Sequence, residues 1–187
     1  MRIAIEPKHV YKLINHGPTT LISSAAAGKR NVMAAAWVMA LDIVPPKLCA
    51  VIAEGTYTRE LVDASGEFVA MLPTKAMVDA AFAVGSVSGR EVDKFEKFGL
   101  KTAAASKVAA PLVEGCAAWL ECKVVREPHH EKAYDLFVAE VVAAWADDAS
   151  WRGNTWTFAS DDARTIHHLS RGDFLLSGDH VKAQPLK

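Results

Sequence analysis

The chain has 187 residues, 51% of them hydrophobic, with 21 lysines and arginines against 22 acidic residues and a formal net charge of −1. That length suits one domain with a sizeable core, and the apolar fraction is high enough that a partner surface is expected to take up part of it. Near-neutral charge without a basic block excludes a nucleic-acid partner, and no apolar run reaches the length of a membrane span or a signal-peptide core, so a cytoplasmic protein away from membranes is expected.

The pattern in chain order is mostly β. Two strands, Thr19 to Ala25 and Asn31 to Val38, turn at Gly28-Lys29-Arg30. Ala34, Ala35 and Ala36 are helical by propensity, but the turn before them and Pro45-Pro46 after them assign the run to a strand. Lys47 to Glu54 is the next strand. It runs into Gly55-Thr56-Tyr57-Thr58 and an amphipathic helix carrying Leu61 and Val62, capped by Thr56 or Thr58 and stopped at Gly66. Glu67 to Pro73 is again a strand. From Ser86 to Gly99, Ser88 and Glu91 have capping-box spacing, Val92, Phe95 and Phe98 follow at helical spacing, and Gly99 is a stop. Cys116 to Val125 and Tyr134 to Ala146 read as long antiparallel barrel strands joined by the polar stretch 126–133. Both are apolar at both alternating sets of positions. With helices few and short, a second copy is expected to cover the outer face, in an obligate homodimer. Cys49, Cys116 and Cys122 read as buried thiols, and with the paired histidines they make no zinc spacing, so no metal is expected.

Two strand-to-helix corners carry the chemistry. Ser88, Gly89, Arg90 and Lys94 combine a hydroxyl, free N–H groups and two cations at a helix start, the donor set that holds a phosphate. At the other corner, Tyr57 and Thr58 precede Arg59, a cation in a first helical turn, which is unfavourable without an anion nearby. The alternative is two ordinary capped helices. Ala34 to Ala36 beside Trp37 either let a flat ligand lie against the strand or pack tightly inside a barrel. Gly85 to Gly89 lacks the serine of a nucleophile elbow and the ending of a P-loop, and no dinucleotide fingerprint follows a strand. His167 and His168 reach a common site only if the backbone turns there.

NVMAAAWV, DIVPPKLCAVIA, YTRELVDASGEFVAMLP and SGREVDKFEKFGL, in that order, resemble the flavin reductase-like, flavoredoxin-type family, and VEGCAAWLECKVV and DLFVAEVVAAWAD continue the match. The resemblance implies a mainly β fold with short helices, an FMN-binding split β-barrel of Greek-key type. It implies a single domain over 1–187, with a core of about 10–147 and a C-terminal extension over 148–187. It also implies a homodimer, and hydride transfer from NADH or NADPH to bound FMN, with electrons passing to a small-molecule or protein acceptor. The alternative is an FMN electron carrier without its own NAD(P)H site. Asn31, Met33, Ala35, Ala36 and Trp37 match the segment along the flavin. Tyr57, Thr58 and Arg59 match one phosphate-side corner, and Ser88, Gly89, Arg90 and Lys94 the other. No catalytic side chain in the strict sense is expected, because the cofactor carries the redox chemistry. Tyr134 stands where reductases of this family often have a histidine associated with nicotinamide binding.

Overall fold

The computed structural model describes residues 1–185. In chain order the strands are β1 (Arg2–Ala4), β2 (Thr20–Ala26), β3 (Lys29–Ala35), β4 (Val38–Ile43), β5 (Pro46–Val51), β6 (Glu67–Leu72), β7 (Thr102–Ala103), β8 (Leu112–Val113), β9 (Ala118–Val125) and β10 (Leu136–Asp147). Two C-terminal hairpins follow, β11 (Trp151–Arg152) with β12 (Thr155–Trp156), and β13 (Ile166–Ser170) with β14 (Asp173–Leu176). The helices are short: α1 (Tyr11–Ile14), α2 (Tyr57–Ser65), α3 (Val78–Gly85), α4 (Lys94–Lys97) and α5 (Pro128–Tyr134). Among the described residues no helix is long and apolar enough to cross a membrane.

The main sheet is antiparallel throughout, in the order β3-β2-β6-β9-β10-β5-β4, with β1 added to the far end of β10. Its two edge strands, β3 and β4, are consecutive in the chain and joined by only Ala36 and Trp37. The sheet must therefore curl until its edges approach, while no ladder bonds them, which makes a mainly β, split barrel with short helices. The β2–β3 turn comes one step earlier than the glycine alone suggests. Ala27 (φ 49°) and Gly28 (φ 76°) both adopt left-handed backbone, the two-residue hairpin turn that matches strand twist.

Alternation along each strand feeds two separate cores. On β6, Phe68, Ala70 and Leu72 face the barrel interior, while Val69 and Met71 face outward into a second cluster with Ala81, Val84 and Phe95. On β9, Leu120 points inward and Trp119 outward, its indole N–H donating to the Val113 carbonyl at 2.7 Å. The second face of β9, expected to need another subunit, is covered at Trp119 and Glu121 by the segment 106–113 of the same chain, through Val113, Ser106 and Lys107. The large exposed apolar side chains lie elsewhere. Met39, Leu41 and Ile43 alternate along the edge strand β4, flanked by Trp37 and Val44.

Two helix assignments change in detail. The polar stretch 126–133 contains α5, so Tyr134 ends a helix and does not begin β10. The capping box at Ser88 does not form. The Ser88 hydroxyl accepts from the Arg90 N–H, and the Glu91 N–H donates to the Ser88 carbonyl, which makes a turn. The helix starts five residues later at Asp93, whose carboxylate accepts from the Phe95 and Glu96 N–H groups, and it lasts one turn before Gly99 stops it in left-handed backbone. An acidic N-cap with two accepted bonds outcompetes a serine followed at once by glycine. The helix over residues 78–85 was not anticipated.

Candidate functional site

Two adjoining cavities lie along β3, between it and the helices α2, α3 and α4. The first, about 550 Å³, is polar and is lined by Asn31 and Met33 of β3, by the α2 N-terminus and by the turn from Ser88 to Lys94. The second, about 300 Å³, is more apolar and lies against Ala34, Ala35 and Ala36. Ala34, Gly85 and Ser86 line both, so the two adjoin and form the two ends of a trough along the strand.

The polar end is built around unspent hydrogen-bonding capacity. Asn31 is 3% exposed; its amide donates to Thr58 Oγ1 at 2.8 Å, while its Oδ1 has no partner. Lys94 is 5% exposed, and its ammonium donates to the Val32 carbonyl (2.9 Å) and the Val84 carbonyl (2.7 Å). The Val84 carbonyl belongs to the last turn of α3, where a cation is favoured. Lysine has three N–H donors, so one is left over at the trough. Burial lowers the pKa of the ammonium to about 8, because among the described residues no negative charge offsets its desolvation. Gly89 closes this end. A Cβ there would run into the Asn31 amide and the Tyr57 ring, so only glycine lets the turn approach β3 so closely.

The other predicted site residues divide between the trough and the scaffold. Met33, Tyr57, Thr58, Ser88, Gly89 and Arg90 line the polar end beside Asn31 and Lys94, and Ala35 and Ala36 line the apolar end. The Arg90 guanidinium sits over the Tyr57 ring, donating to the Gly55 carbonyl at 2.8 Å and pairing with Glu60 at 2.5 Å, and so ties the turn to α2. Thr56, not Thr58, caps α2, its hydroxyl accepting from the Arg59 N–H. Trp37 is exposed at the junction next to Ala36 and lines neither cavity. Arg59 is not brought to the trough. Its guanidinium lies over the Phe137 ring and donates to Asp63 (2.8 Å), Asp135 (3.0 Å) and the carbonyls of Ile52 and Glu131. The anion that its first-turn position calls for is supplied by the protein's own carboxylates.

Sequence reasoning missed the far wall of the apolar end. Thr19, Phe82 on α3, and His168 and Phe174 on the C-terminal hairpin face Ala34 to Ala36 across the cavity. The apolar run from Ala76 to Gly85 was the available signal for α3; nothing local announces His168. The buried thiols of Cys49, Cys116 and Cys122 are unpaired and away from the trough, and burial holds each above the usual thiol range.

Residues 14–167 match the profile of the flavin reductase like domain. The chain is 41% identical over 184 residues, 97% of each sequence, to the uncharacterized protein YddH of Escherichia coli K12. It is 35% identical over 130 residues to an uncharacterized protein of Archaeoglobus fulgidus, covering 70% of this chain and 73% of that one. Among solved structures it is similar to an FMN-binding domain of a flavin reductases-like enzyme from Shewanella baltica (TM-score 0.95, 40% identity, 98% of each chain). It is also similar to the flavoredoxin of Desulfovibrio vulgaris (TM-score 0.77, 25% identity, 89% of this chain and 90% of that one).

Proposed function

From the premise that the chain belongs to the flavin reductase-like family of FMN-binding proteins, we propose that it is a flavoprotein oxidoreductase whose trough along β3 holds FMN. The observation that carries this reading is the pairing of a polar cavity with unspent donors and an adjoining apolar cavity walled by alanines. The residues fit the group. An orphaned Asn31 Oδ1, a spare Lys94 N–H, the Ser88 hydroxyl and the N-terminal turn of α2 offer a phosphate and a polyhydroxyl chain their partners. Side chains no larger than a methyl group from Ala34 to Ala36 admit a flat ring against the strand.

When bound, FMN supplies a ring that accepts a hydride and passes electrons on. The chain's part is to bind and orient it. Lys94 places a positive charge at the phosphate end, where the ligand's charge compensates its desolvation. Arg90, held by Glu60 and Gly55, keeps the Ser88 to Asp93 turn folded over that end. The alanine face and Phe82 keep water off the other end.

The reading includes NADH or NADPH as hydride donor and a small-molecule or protein acceptor. A second reading, an electron carrier without its own NAD(P)H site, is favoured by Tyr134. It is exposed at the end of α5, its ring 6.3 Å from that of His130 and 5.9 Å from that of His129. A homodimer belongs to the proposal as well. It is supported by the exposed Trp37, Met39, Leu41 and Ile43, which begin beside the alanine wall.

The purified protein is expected to be yellow, to release FMN and not FAD, and to bleach within a turnover on anaerobic mixing with NADH or NADPH. Flavin that stays oxidised with both donors selects the carrier, and a colourless protein that takes up no FMN ends both readings. Sedimentation of Met39→Glu/Ile43→Glu tests the dimer: it is expected to give monomers where the parent chain gives dimers.

A further inference from the structure

The C-terminal hairpin β13–β14 stands almost wholly outside the region that matches the family, which ends at residue 167. It is nevertheless fixed against the trough from several sides. The His168 backbone N–H donates to Thr19 Oγ1 at 2.8 Å, and the Thr19 N–H donates to the Ile166 carbonyl at 2.8 Å. Ile166 is fully buried in the second core. At the hairpin's turn, Gly172 rests on the Phe82 ring, where an added Cβ would lie 3.4 Å from the ring carbons. Thr165, just before the hairpin, bridges to Thr74.

This anchoring sets His168 and Phe174 opposite Ala34 to Ala36. The two rings are cross-strand partners, with centroids 5.2 Å apart and planes at 62°. The cavity they face is poor in free polar groups. The Thr19 hydroxyl already accepts from the His168 N–H, and the Ser86 hydroxyl already donates to the Phe82 carbonyl at 2.8 Å, so each keeps only part of its bonding capacity. The neighbouring His167 spends its Nδ1 on the Gly17 carbonyl at 3.0 Å. His168 is exposed at the mouth of this cavity; among the described residues no side chain or backbone group bonds its imidazole, and it is the only titratable side chain in the lining. Independently, the adjoining polar end holds a buried, unpartnered Asn31 Oδ1, so the trough as a whole is short of a ligand's polar atoms.

We propose that the β13–β14 hairpin is the outer wall of the ring site and that His168 is its polar contact with a flat heteroaromatic ring lying on Ala34 to Ala36. The assignment rests on the flavin reading of the trough. A cavity of alanine and phenylalanine alone would hold any flat apolar ring. An imidazole with both nitrogens free selects one whose edge carries carbonyl and imide groups, as an isoalloxazine does. Phe174 holds the imidazole edge-on across the hairpin, which keeps the contact in place before the ligand arrives.

Three ligands separate the ends of the trough: FMN, riboflavin, which lacks the phosphate, and lumiflavin, which lacks the ribityl chain as well. His168→Leu is expected to weaken all three alike, by about tenfold for the loss of one hydrogen bond, and to shift the visible bands of the bound flavin. His168→Gln, which keeps a donor and an acceptor, is expected to recover most of that affinity. Leu169→Ala, exposed on the same strand and outside the cavity lining, is expected to leave all three titrations unchanged. His168→Leu with parental affinity and spectrum for every ligand overturns the proposal and leaves the flavin reading standing. Loss confined to FMN overturns it too, by moving His168 to the phosphate. A parent chain that binds none of the three overturns the flavin reading and this proposal with it.

Discussion

Glu121 on β9 and Lys94 on α4 are both buried charges, and the chain treats them in opposite ways. Glu121 is fully buried and saturated. Its carboxylate accepts from the Ser106 N–H and hydroxyl, the Lys107 N–H (2.6 Å) and the Trp145 indole (2.9 Å). Burial alone would raise its pKa, but the donors of Ser106, Trp145 and Lys107 outweigh desolvation and hold the carboxyl below its usual range. Lys94 meets two carbonyls and no anion, and burial wins. A buried charge that its surroundings favour is architecture: Glu121 pins the loop at 106–107 to the sheet. A buried charge that its surroundings disfavour is waiting for a partner.

Substitution breaks or sharpens that contrast, starting with the largest effect. Glu121→Ala is expected to strand several buried donors at about 1–3 kcal/mol each, lowering the urea midpoint of the apo-protein severely. Lys94→Met is expected to be close to neutral in the same measurement, because it removes an uncompensated buried charge along with its bonds. Equal losses in the two variants would end the distinction. In FMN titrations the order reverses. Lys94→Met is expected to weaken FMN by about 10–100-fold, the range for a charge-assisted bond, and riboflavin by less than about twofold.

The pH dependence follows from the lowered lysine. FMN affinity is expected to fall above pH 8, by at most about tenfold per unit, as apo-protein ammonium must be reprotonated to meet the phosphate; riboflavin affinity should stay flat. For the apo-protein the unfolded chain binds the extra proton between about 8 and 10.5, so this group makes stability rise with pH across that window. An FMN profile parallel to that of riboflavin would remove Lys94 from the phosphate. The smallest effect belongs to Arg59→Ala. FMN affinity should change by less than about twofold, because its guanidinium is spent on Asp63 and Asp135, while some stability is lost.

Much of this was legible in the residues. Apolar runs bounded by turn residues located β2, β3, β5, β6, β9 and β10 to within a few residues, and the glycine stops at Gly66 and Gly99 are real left-handed caps. Apolar positions on both faces could not say who covers the outer one. Trp119 and Met71 look the same in sequence whether a subunit or the strand at Val113 lies over them. Helix-end electrostatics singled out a cavity-lining turn for a wrong local reason: Ser88 to Glu91 and Lys94 line the trough although the helix starts at Asp93. Arg59 shows the limit of first-turn reasoning, since carboxylates distant in sequence answered its charge. His168 was invisible because its place depends on Thr19 and Phe82, more than 80 residues away in sequence.

The edge strand β4 has a further consequence, for handling and for life in a crowded solution. One of its edges is hydrogen-bonded to β5 and the other pairs with no strand among the described residues, while Met39, Leu41 and Ile43 alternate on its outer face. Such a strand is a template for another chain's strand. Its charged protection is slight: Asp42, bonded to Lys47 at 3.0 Å, near the turn end. A protomer without cover there is therefore prone to grow into fibrous or amorphous aggregate. Solubility on dilution, and on heating at fixed concentration, becomes a property of that one strand more than of the barrel behind it.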